Sequence, residues 1–141
     1  MPGASRSIVI AAPIEEVFAV VTDYEKYPEF LSEVKAVRVT DRRGGEALVH
    51  YEVQVLKSIR YTLRTREEAP QRVSWSLVEG EFMRENRGSR DLQRQGTETR
   101  ATYSIEMTFG PLVPKAVVNA LVETSLPKML ESFKKRIESN G

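Results

Sequence analysis

Cysteine is absent from the 141 residues, and histidine occurs once, at His50. The first absence removes disulfides, a thiol nucleophile and a thiolate metal site. The second leaves little room for a Ser-His-Asp or Cys-His arrangement. His50 lies in an alternating run on the side of Glu52, opposite Tyr51, Val53 and Val55. That places it on a wet face, away from where a general base would reach substrate. No Gly-rich phosphate loop and no acidic calcium loop is present. The expectation is therefore no catalytic residue, no metal and no cofactor.

Charge of one sign is also missing. The 21 basic and 20 acidic residues leave a net charge of +1, too little to draw in nucleic acid or an anionic membrane surface. No apolar run approaches the ~18 residues of a membrane span, and the first residues lack the ~7–15 apolar run of a signal peptide. These absences exclude a DNA partner and integral membrane association, and suggest a cytoplasmic, soluble chain. The basic residues Arg38, Arg42, Arg43, Arg60, Arg64 and Arg66 share their kind of face with Glu52, Glu98 and Glu106, as a mixed solvated surface does.

What the chain has is 40% hydrophobic and 29% charged residues, enough for one folded domain over residues 1–141. Ser7–Ala12 reads as a strand, and residues 13–21 as a short helix opened by Pro13 and by Glu15 and Glu16. A second short helix runs through Tyr24 and Tyr27 to Pro28. The period then changes to two. Strands follow through Val37–Thr40, Ala47–Val55, Ile59–Arg66, Val73–Leu77, Phe82–Gln93 and Thr99–Phe109, separated by Gly- and Pro-bearing turns. Gly88 suggests a bulge within the polar strand. From Pro114 to about Ser139 a stripe of Val118, Val122, Leu126, Met129, Phe133 and Ile137 marks a long helix, interrupted at Pro127.

The order strand, two short helices, six antiparallel strands and one long helix, together with IVIAAPIEEVFAVVTDYEKYPEFLSEV, ENRGSRDL and TETRATYSIEM, resembles the helix-grip fold of START-like proteins. Within it the chain is most similar to the bacterial polyketide cyclase/dehydrase and lipid transport group, including its coenzyme Q-binding branch. The resemblance implies an α+β helix-grip fold, in which a curved antiparallel sheet wraps a long C-terminal helix around an internal cavity. It implies a hydrophobic small-molecule ligand such as a lipid, quinone or polyketide. It also leaves open an aromatase/cyclase, or a ribosome- or protein-interaction module.

The candidate lining follows from strand parity and this fold. It comprises Tyr27 and Phe30 from the second short helix, Tyr51 and Val53, Tyr61 and Leu63, and Trp75 and Leu77. Tyr103, Ile105 and Met107 come from the last strand, and Val118, Leu121, Val122 and Met129 from the helix. The residues alone fit a filled core as well as a cavity. In the polar strand, an inward Phe82 would carry Arg84 and Asn86 inward, with Arg84 at a cavity mouth facing a ligand oxygen. A solvated edge strand is the alternative.

Overall fold

The computed structural model describes residues 3–55, 57–120 and 125–140. Strand β1 (Gly3–Ile10) leads through Pro13 into helix α1 (Ile14–Val21) and a 3₁₀ helix (Tyr24–Glu29). Six strands follow: β2 (Val34–Arg43), β3 (Glu46–Val55), β4 (Lys57–Glu68), β5 (Arg72–Gly80), β6 (Met83–Gln95) and β7 (Glu98–Phe109). Helices α2 (Lys115–Ala120) and α3 (Leu126–Asn140) end the described chain.

All seven strands form one antiparallel sheet in the order β1-β7-β6-β5-β4-β3-β2. The hairpins β2–β3 and β6–β7 turn at Gly44 and Gly96, whose φ of +60° and +63° most side chains other than asparagine would resist. Strand β1 starts earlier than expected because its small polar residues pair along β7. The Ser5 and Ser104 hydroxyls meet at 3.1 Å, and those of Ser7 and Thr102 at 2.8 Å.

The core shows why α1 forms where it does. Ile14, Val17 and Val21 recur on one face and are buried, and Glu15 and Glu16 stay in water at the positive helix end. They pack with Ile10, Leu92, Phe133 and Ile137 between α3 and the sheet. The Lys134 ammonium donates to the Val9 carbonyl (2.7 Å) and to Glu138 Oε2 (2.6 Å), which also accepts the Ala11 amide (2.8 Å). These bonds fix the far end of α3 against the end of β1.

Thr99 is fully buried, and its hydroxyl donates to the Ala12 carbonyl at 2.8 Å. Thr99→Val keeps the shape and strands that acceptor, so it should cost about 1–2 kcal/mol. A lower denaturant midpoint at unchanged slope checks this; an unchanged midpoint rejects it.

Three expectations need correction. The bulge in β6 falls at Arg84, between the pairs Met83–Phe109 and Glu85–Thr108, and not at Gly88. Pairing is regular from Asn86 to Gln95. Arg84 is consequently exposed and off the concave face, whereas Asn86 is buried. On α2 the buried residue is Val117, with Val118 only partly covered. Pro127 is the second residue of α3, just after π-helical Ser125, so the irregularity lies at the start of this helix. Leu121 and Val122 lie outside the described residues.

Candidate functional site

Between the concave face of the sheet and α3 lies a cavity of about 180 Å³, closed at one end by the 3₁₀ helix. Sheet parity explains its wall. Tyr51 and Val53 on β3, Tyr61, Leu63 and Thr65 on β4, Val73 and Trp75 on β5, and Tyr103, Ile105 and Met107 on β7 all point the same way. The 3₁₀ helix adds Tyr24 and Tyr27, and α3 adds Leu126 and Met129. All five tyrosines of the chain and its single tryptophan therefore line one space. Ser32 and Lys128 are the exposed lining residues and mark its rim, where Ser125 donates to Glu33 Oε2 at 3.0 Å.

The rings hold one another. Tyr51 and Tyr61 stack at 5.1 Å with planes 16° apart, and Trp75 lies 5.4 Å from Tyr103. Tyr27 meets Phe133 edge-on at 5.2 Å. Trp75 Nε1 donates to Asn86 Oδ1 at 3.1 Å, which is how a buried amide and a half-buried indole satisfy each other. Tyr24 donates to Glu67 Oε2 at 2.8 Å, and Tyr27 donates to the Val21 carbonyl.

The hydroxyls of Tyr51, Tyr61 and Tyr103 have no hydrogen-bond partner among the described residues. No sealed side-chain oxygen or nitrogen there lacks a partner, so these three open onto accessible space. They are donors and acceptors for whatever enters. Burial pushes every one of the five phenols above its ordinary value, Tyr27 up to about 12, and the charge of Arg90 opposes this at Tyr27, Tyr51 and Tyr103. The site thus offers neutral phenols at neutral pH.

Arg90 lines the cavity although sequence reasoning did not place it there. Its guanidinium carbon lies 4.4 Å from the Phe133 ring centre, 4.7 Å from that of Tyr103 and 6.0 Å from that of Trp75. Such contacts are attractive because the ring faces are electron-rich. The signal for Arg90 was the parity Asn86, Gly88, Arg90, masked by the bulge assigned to Gly88.

Eleven of the candidate residues line the cavity: Tyr27, Tyr51, Val53, Tyr61, Leu63, Trp75, Asn86, Tyr103, Ile105, Met107 and Met129. Four described ones do not. Phe30 packs on Phe133 at 5.0 Å beneath the Arg136 guanidinium. Leu77 leans towards Gly80 at the strand end, Arg84 occupies the bulge, and Val118 sits beside the inward Val117. Sequence reasoning also left out Leu31, Val34, Thr65 and Val73.

No cluster of three or more His, Asp or Glu side chains suited to a metal ion occurs among the described residues. Nor is any helix there long and apolar enough to cross a membrane.

Residues 10–134 match the family described as polyketide cyclase / dehydrase and lipid transport. The chain is 30% identical over 137 residues to the ribosome association toxin RatA of Pseudomonas aeruginosa, covering 93% of this chain and 92% of that protein. Its fold is similar to a START superfamily protein from Mycobacterium smegmatis (TM-score 0.87, 18% identity, 99% of both chains). It is also similar to the Zhui aromatase/cyclase of Streptomyces sp. R1128 (0.85, 15%, 99% of this chain and 94% of that one). A STAR-related lipid transfer protein from Xanthomonas axonopodis aligns with TM-score 0.80 and 14% identity over 96% and 85% of the two chains. At these identities the structural likeness is one of fold, the helix-grip arrangement of sheet and terminal helix.

Proposed function

Since the chain belongs to the polyketide cyclase/dehydrase and lipid transport family, we propose that it binds and carries a hydrophobic small molecule in the cavity under α3. The observation that carries this reading is the wall itself, with five tyrosines and the tryptophan around one space and three hydroxyls left for an occupant. Binding draws on buried apolar surface at ~25 cal/mol per Å², so a ligand covering roughly 200 Å² gains about 5 kcal/mol. The hydroxyls then set its orientation.

Native mass spectrometry of gently purified protein, followed by solvent extraction, tests this. A retained lipid, quinone or polyketide-like compound is the expected result. A protein that is empty and also takes up none of a panel of such compounds overturns it. Release of a chemically altered compound would favour the cyclase activity in the family's description.

A second reading has one observation in its favour, the 30% identity to a protein named for ribosome association. It requires co-sedimentation with ribosomes that weakens as salt rises. The near-cancelled charge of the chain weighs against it.

A further inference from the structure

Arg90 stands in the middle of the sheet, opposite Tyr103 on β7 and Val73 on β5. There its side chain is half-buried on the concave face. It borders the cavity on one side. On the other, a crevice of about 20 Å³ leads towards Ile10, Val17 and Ile137. Its one polar contact with a described side chain is 3.7 Å to the sulfur of Met129, a weak acceptor.

Carboxylates in and around the cavity wall are engaged elsewhere. Glu67 accepts from Tyr24 and Arg42, Glu29 from Arg136, Glu33 from Ser125, and Asp91 from Ser89 and Arg72. None of the ion pairs among the described residues includes Arg90. Ring faces compensate only part of the hydration that a guanidinium packed among them loses. Its planar fork of donors matches a carboxylate.

We propose that Arg90 is the specificity-determining residue of the cavity, and that the ligand is an apolar, ring-bearing monocarboxylate whose carboxylate pairs with this guanidinium. The stacked Tyr51 and Tyr61 and the Trp75 indole take the flat apolar body. The carboxylate lies inward, beside Tyr103. This deepens the binding reading above and rests on it.

The experiment compares 2-naphthoate with 2-naphthalenemethanol, which shares the ring and lacks the charge, by titration calorimetry at neutral pH. The wild-type protein should prefer the carboxylate by roughly 10- to 100-fold, the range for one charge-assisted contact. Arg90→Met, which still packs against Phe133 and Tyr103, should bind both compounds about equally. Arg90→Lys, which keeps the charge and loses the fork, should retain only part of the preference.

Equal affinity of the wild type for both compounds overturns the assignment while leaving the cavity a binding site. A preference that survives in Arg90→Met overturns it too, because another group must then hold the carboxylate. Binding of neither compound by folded wild-type protein rejects this inference, and the compound panel above then separately decides the binding reading. Far-UV circular dichroism of each variant keeps loss of fold distinct from loss of preference.

Discussion

Raising the pH should leave all five tyrosines protonated past the ordinary phenol value near 10 and then release them together as the protein unfolds. The cause is shared. Tyr24, Tyr27, Tyr51, Tyr61 and Tyr103 all have burial as the leading reason for a raised value. A group held protonated in the folded state adds stability that is fully present below its unfolded value. That stability is lost as the pH climbs towards its folded one. For Tyr27, pushed up to about 12, the gap corresponds to roughly 3 kcal/mol. Four more phenols lean the same way, against a total stability on the order of 5–15 kcal/mol. Tyrosinate absorbance and far-UV circular dichroism should therefore change in one step above pH ~10. Absorbance that rises near pH ~10 with the dichroism unchanged would show that the phenols are already solvated in the folded protein. Filling the cavity with ligand should move the step upward.

The other large effect is expected at Gly88. A Cβ built there would lie 2.2 Å from the Ser104 carbonyl oxygen and 2.8 Å from Cζ2 of Trp75. The first contact is with the backbone of the paired strand, which cannot retreat without opening the ladder where Gly88 opposes Ile105. Gly88→Ala should accordingly cost about 3 kcal/mol or more. It should also shift Trp75 emission by displacing the indole from the wall. Gly44→Asn makes the contrast: its φ of +60° suits asparagine and nothing stands within 4 Å, so stability should hold within about 1 kcal/mol. An alanine variant as stable as the parent would mean that β6 and β7 can separate at no cost.

Gly88 also shows where the sequence stops being legible. Alternation along one strand tells which residues share a face, and so Tyr51, Tyr61, Trp75 and Tyr103 could be brought to one wall before any coordinates. The glycine is required by a carbonyl on β7 and a ring on β5, and nothing in β6 itself announces that. Reading it as a bulge moved Arg90 out of view, and the parity of Phe82 carried Arg84 inward across the real register shift. Phe82, with a φ of 64°, lies in the turn and cannot pass its parity to β6. The register slip at Arg84 and the choice of Val117 over Val118 depend likewise on how separate elements meet. The aromatic cluster of YEKYPEF was visible from the start, and its two tyrosines close the cavity. Its phenylalanine belongs to the packing around Phe133.

The pairing of the first strand with the last has a consequence for how the chain is made. Ser7 meets Thr102 across 95 residues of sequence, and among the described strands only β7 neighbours β1 in the sheet. At a synthesis rate of ~5–20 residues per second, β1 waits roughly 5–20 s for its partner. Ile8 and Ile10 emerge well before their partners Ala101 and Thr99 and are covered late. The nascent chain thus carries an unsatisfied strand until β7 is made, a period in which a holding chaperone would find its target in β1.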